Sequence, residues 1–200
     1  MYRIFLGLVL AVSSVMVHAA QPAEIVSQRT DAVLSALATE REAFKADSTK
    51  LRAFVNAQLT EVMDRTYAAQ LVLARHARTA SKEQISAFAD ALTDSLLRRY
   101  ADALLELDTG MEVSIVSSTP MRDGQLMRVA SRIVRKAGEP VQVDYMFRKQ
   151  GDEWLVFDVI VEGISYVQTY RGQFDEQLRK HSLDEVIVGL RTGSIQLKGE

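Results

Sequence analysis

Cysteine is absent from this 200-residue chain. Its absence removes disulfides and every thiol-based mechanism, and it suits an oxidising compartment. Histidine is scarce: of three in the sequence, only His76 and His181 lie beyond the leading segment. Both sit in charged contexts, Arg75-His76-Ala77-Arg78 and Lys180-His181-Ser182, which suit solvated or capping roles. Two histidines so far apart, with no cysteine, do not make a zinc site. No metal, cofactor or catalytic residue is therefore expected. A basic excess is also missing, since 24 Lys and Arg face 26 Asp and Glu. That balance offers no footprint for nucleic acid and no polybasic patch for anionic membranes. Nucleophile elbow, phosphate loop and dinucleotide fingerprint are all lacking.

Long apolar runs are missing too, with one short exception at the start. Arg3 precedes an unbroken apolar run from Ile4 through Val12, then Ser13, Ser14 and the small-residue site Val17-His18-Ala19. This pattern predicts a cleavable secretory signal over residues 1–19. The run is short for a membrane span, which needs about 20 residues. A lipoprotein signal needs a cysteine at its cleavage site, so a soluble mature chain is expected. Losing Arg3, the one charged residue of that segment, moves the formal charge from −2 to −3. Residues 20–200 are long enough for a single domain with a real core.

What is present is amphipathic pattern. Pro22 suits the first turn of a helix reaching about Lys45, with Val26, Val33, Leu37 and Phe44 on one stripe. Asp47 or Ser48 can cap a second helix carrying Leu51, Phe54, Val55, Leu59 and Val62. A third apolar stretch runs from Tyr67 to Ala77. Ser81-Lys82-Glu83-Gln84 is a capping box opening a long helix, with Ile85, Phe88, Leu92, Leu96, Tyr100 and Leu104 on one face, that ends near Gly110. The period then drops to two. Runs at Met111–Val116, Met127–Ile133, Val141–Phe147 and Trp154–Val161 are separated by glycine-bearing turns, which predicts an antiparallel meander. A helix from Ser165 to Arg179 follows. Ser182-Leu183-Asp184-Glu185, a second capping box, opens the last helix, closed near Gly193. Helices with dry stripes laid on a sheet with one dry face make a single α+β domain.

Asp144, Asp158 and Glu162 are the carboxylates set among apolar strand residues. Two of them near a pocket could do acid–base work, which leaves open a small-molecule enzyme with Asp158 or Asp144 as general base. The plainer expectation has Asp144 facing solvent, and Asp158 or Glu162 accepting bonds from a basic side chain or from the helix start after Gly163. A surplus of large apolar residues remains, among them Tyr145, Phe147, Trp154, Phe157, Tyr166, Tyr170 and Phe174. They suit a filled core and a lined cavity equally.

Trp154-Leu155-Val156-Phe157-Asp158-Val159-Ile160-Val161-Glu162-Gly163-Ile164-Ser165-Tyr166-Val167, with Tyr170-Arg171 and Gln173-Phe174 after it, resembles the signature of the MlaC or toluene-tolerance family. That signature is a Trp, then aromatic-Asp-Val, Glu-Gly-Val-Ser, and an Arg and a Phe on the next helix. The chain keeps all of these, with Ile164 in place of Val. Looser matches cover Leu71-Val72-Leu73 to His76, where Ala74 replaces a Gly common in relatives, and Gln84 to Tyr100. The resemblance implies a periplasmic phospholipid carrier of the Mla pathway, moving lipid between outer and inner membranes as monomer. Its fold would be an NTF2-like cone, helices on one face of a roughly four-stranded antiparallel sheet, enclosing an apolar cavity. The partners implied are an inner-membrane ABC complex with a lipid-binding ring and an outer-membrane lipoprotein–porin assembly.

On that reading the acyl tails meet Val129, Val143, Tyr145, Phe147, Val159 and Val161 of the strands. The long helix adds Phe88, Leu92, Leu96 and Tyr100, and Leu73 adds to these from the helix before it. Ile164, Tyr166, Val167 and Tyr170 belong to the segment after the fourth strand. Arg171 would stand at the rim, meeting either a headgroup phosphate or an internal carboxylate. Exposing the roughly 30 methylenes of a diacyl lipid, at about 0.8 kcal/mol each, costs on the order of 20 kcal/mol. A carrier must offer comparable dry area, and it needs no bond chemistry.

Overall fold

The computed structural model describes residues 21–107, 110–134 and 138–197; the predicted export signal lies outside them. Helix α1 (Pro22–Ala46) begins where Gln21 N donates to Glu24 Oε2 at 3.1 Å, a cap the sequence reading did not include. Asp47 accepts from Thr49 N and Lys50 N and so opens α2 (Ser48–Thr60) directly behind it. Helix α3 (Arg65–Leu73) runs into a 3-10 turn, Ala74–Arg78. Ser81 and Gln84 exchange both bonds of the expected capping box at the start of α4 (Lys82–Tyr100).

The long helix stops at Tyr100, not near Gly110, and tightens into a 3-10 turn over Ala101–Glu106. Arg41 of α1 holds that turn by donating to the carbonyls of Leu105 and Leu107. The meander is as expected and slightly larger. Strands β1 (Glu112–Met121), β2 (Leu126–Val134), β3 (Val141–Gln150), β4 (Glu153–Val161) and the two-residue β5 (Ile164–Ser165) pair antiparallel in chain order. Gly163 sits at φ 84°, where a side chain would be strained, and makes the β4–β5 reversal possible. Helices α5 (Tyr166–Leu178) and α6 (Leu183–Thr192) follow, the second opened by the Ser182–Glu185 box and closed by left-handed Gly193.

Two bulges re-aim the strands, one between Ile115 and Ser117 and one between Met146 and Phe147. A link that no local pattern announces ties helices to sheet. Asp64 N donates to the Val156 carbonyl and Val156 N donates to the Val62 carbonyl, each at 2.8 Å. The α2–α3 connection thus becomes a short parallel neighbour of β4.

Ala74 occupies φ 50°, ψ −115°, a conformation that crowds a Cβ and suits glycine. That is a physical reason for the Gly common at this place in the family pattern. Ala74→Gly is expected to raise stability by about 1 kcal/mol, the strain relieved outweighing the added freedom of the unfolded chain. For a chain of this size that is about 2–4 °C in Tm, read by thermal unfolding followed by circular dichroism. An unchanged or lower Tm would count against strain at this residue.

Candidate functional site

Registered pairs place the predicted strand residues together. Ser131 pairs with Val143 and Val143 with Val161; Val129 pairs with Tyr145 and Tyr145 with Val159. Side chains directly opposite share a face, so Val129, Val143, Tyr145, Val159 and Val161 form one apolar surface, joined by Phe147. Val129 and Phe147 are fully buried there, packed with Val156 and with Val26 of α1. The predicted helical residues gather separately. Leu73, Phe88, Leu92, Val167 and Tyr170 are buried in a cluster of α3, α4, α5 and α6, with Leu96 packed against it. Phe88 meets Phe174 edge to face at 4.9 Å between centroids. A third cluster, Leu37, Phe44, Leu51 and Ala101, lies between α1, α2 and the turn after α4.

Five predicted residues are half-buried: Tyr145 and Val159, packed against the sheet cluster, Leu96 against the helix cluster, and Val161 and Tyr100. At the edge Ile164 and Tyr166 are exposed, and the Tyr166 and Tyr170 rings lie 6.0 Å apart. Burial pushes the Tyr145 hydroxyl pKa up, opposed by its bond with Ser131. Burial also pushes Tyr170 up, with the Tyr100 hydrogen bond and the neighbouring Tyr100 and Tyr166 adding to it. These phenols stay protonated and present an apolar body with a polar tip.

One expectation about the carboxylates is corrected. Asp144 does not face solvent: it is 2 % exposed and pairs with Arg128 of β2, with Gln142 Nε2 at 3.4 Å. Strand alternation puts it on the face opposite Val143, but the side chains of that face close over it. Asp158 behaves as the plainer reading expected, accepting from Ser165 Oγ at 2.6 Å and from Val167 N at 3.0 Å at the start of α5. Burial raises its pKa, opposed by the bonds from Ser165, Val167 and Val159. Glu162 accepts from Gln142 N. With both carboxylates engaged and neither lining a described cavity, the geometry does not support a general base at Asp144 or Asp158.

Arg171 makes no ion pair with Asp158 or Glu162. It is exposed and has no ion-pair partner among the described residues. With Ala74, Arg75, Gln168, Gly172 and Asp175 it lines a groove of about 380 Å³. Sequence reasoning missed Arg75, Gln168 and Asp175, and no local signal could have joined residues 75 and 175. His76, expected to be solvated or a cap, sits with Nε2 3.1 Å from Asp175 Oδ1.

The family model described as MlaC protein matches residues 27–192. Toluene tolerance protein ttg2D of Pseudomonas putida is 27% identical over 190 residues, covering 94% of this chain and 87% of that protein. The intermembrane phospholipid transport system binding protein MlaC of Haemophilus influenzae is 23% identical over 178 residues, covering 88% and 83%. A phospholipid-binding protein from Ralstonia solanacearum, solved in complex with a phospholipid, shares the fold: its TM-score is 0.76 at 24% identity, covering 86% of this chain and 95% of that one.

Proposed function

The chain belongs to the MlaC family, and from that premise we infer that it carries phospholipid, the tails held between the apolar face of the sheet and the apolar stripe of α3, α4 and α5. One observation carries this reading in the molecule itself. The buried apolar residues fall into separate clusters, one on the sheet face with the half-buried Tyr145 and Val159 packed against it, and one among the helices with Leu96 packed against it. Single domains of this size ordinarily close one contiguous core. Here sheet and helices offer two apolar walls that acyl chains can unite, as the dry area computed for a diacyl lipid requires.

The carrier works in the periplasm as a diffusing monomer of residues 20–200, after residues 1–19 are removed. It delivers lipid to an inner-membrane ABC complex and meets an outer-membrane lipoprotein–porin assembly. No bond is made or broken, so no catalytic group or cofactor takes part. The relative named for intermembrane phospholipid transport supports this placement. Mature protein purified from a bacterial host is expected to show lipid-bound masses in native mass spectrometry, with phospholipid in the organic extract. A clean lipid-free mass and an empty extract would overturn the carrier reading.

A further inference from the structure

The exposed stripe of α5 carries Gln168, Arg171, Gly172 and Asp175 at helical spacing, opposite the 3-10 turn that presents Ala74 and Arg75. The groove between them is lined by two arginines and one acid, a net positive charge, against −2 on the whole chain. Asp175 is its only acid and is already saturated. Arg75 lies 2.7 Å from one of its oxygens, His76 Nε2 lies 3.1 Å from the same oxygen, and Arg179 lies 2.8 Å from the other. Within the lining, Arg75 and Arg171 against Asp175 leave a local excess of one positive charge.

Asp175 also has a positioning effect. It fixes the guanidinium of Arg75, whose side chain remains 60 % exposed, at the groove wall. Arg171 faces it from α5 with no ion-pair partner among the described residues. Gly172 follows Arg171 in the lining, and a Cβ there would meet nothing within 4 Å, so the groove is open at that point. Two guanidiniums and the Gln168 amide around this opening match a planar-fork recognition of phosphate oxygens. None of the apolar walls described above lines this groove.

We propose that this groove binds a phosphate group, a phosphomonoester or phosphodiester anion, between Arg75 and Arg171 with the Gln168 amide as a further donor. Two sources share that chemistry: the headgroup of a carried lipid and a free phosphate compound. The site stands on the groove alone and does not depend on the cargo being a lipid.

The test uses the mature chain, both lipid-extracted and as purified, with inorganic phosphate and glycerol 3-phosphate as probes. Binding is read by calorimetric titration, and the phosphorus NMR signal of any retained phospholipid is recorded. The wild type is expected to bind at least one probe, or to shift the headgroup phosphorus signal, with either effect weakening on added salt. The double variant Arg75→Gln/Arg171→Gln is expected to lose about tenfold in probe affinity, or to lose the shift. Lys180→Gln removes the same kind of charge outside the groove and is expected to leave both readouts within about twofold. A change confined to the phospholipid signal assigns the headgroup as the source; probe binding retained in lipid-loaded protein assigns a free phosphate compound. The proposal is overturned if no probe binds and the phosphorus signal ignores the double variant, or if Lys180→Gln has the same effect. Loss of lipid from the extract bears on the carrier reading alone.

Discussion

Val161→Glu is expected to leave the protein folded and to empty it of lipid. Val161 ends β4, pairs with Val143 and Ile164, and is half-buried on the apolar face. In the lipid-free protein a glutamate there can turn its carboxylate past the exposed Ile164 into water. Acyl tails laid on that face would either bury the charge or leave the strand end uncovered. Burying an unpaired carboxylate costs several kcal/mol, and about 3 kcal/mol already corresponds to roughly a hundredfold in affinity. The lipid-bound fraction in native mass spectra is therefore expected to collapse. Val161→Leu is expected to keep it, and so is Val188→Glu, which puts the same charge on an exposed site of α6. Equal lipid content in Val161→Glu and Val188→Glu would remove the β3–β4 face from the tail site. A matching loss of melting temperature in Val161→Glu alone would mark a folding defect, and Val159→Lys on the same face then repeats the test.

Local chemistry explains how much of this was legible in advance. Capping boxes are four-residue signals, and those at Ser81 and Ser182 open helices where the sequence placed them. Strand alternation put Val143, Tyr145 and Phe147 on one face because a period of two survives any change of neighbours. What escaped depends on residues far apart in sequence. Arg41 ends a helix sixty-odd positions away by binding Leu105 and Leu107. The Val62–Asp64 segment completes hydrogen bonds of Val156, and a period count along either segment is blind to that. The two bulges are likewise invisible, since an extra residue in one strand is defined only against its partner. The residues proposed for the tails follow the same rule: their apolar faces were legible one by one, but their division into two clusters of buried residues was not. The groove was the least legible feature, because an overall acidic balance concealed Arg75 and Arg171, brought to its walls beside Asp175 from almost a hundred positions apart in sequence.

Asp144 was misplaced for an equally definite reason, and the correction leads to an asymmetric prediction. Alternation says which face a strand residue takes, but not whether that face is covered. Here Arg128, directly diagonal on β2, lies against the carboxylate, while Gln142 approaches from one side. The two partners differ sharply in exposure: 47 % for the Arg128 side chain and 2 % for that of Asp144. Removing one partner of a buried pair costs about 3–5 kcal/mol when the charge left behind cannot reach water. Arg128→Ala leaves Asp144 in that position and is expected to cost about 3 kcal/mol. Asp144→Ala leaves a guanidinium that can swing into solvent, so its cost is expected to be about 1 kcal/mol, mostly lost hydrogen bonding. Arg128→Met with Asp144→Leu removes both charges together and is expected to recover most of the larger loss, since well-packed apolar replacements of such pairs are often neutral. Urea unfolding of the three variants reads the differences directly, with unchanged slopes confirming that only stability moved. Equal costs for the two single variants would mean that Asp144 reaches water after all, and that its pairing with Arg128 is an exposed ion pair of little consequence.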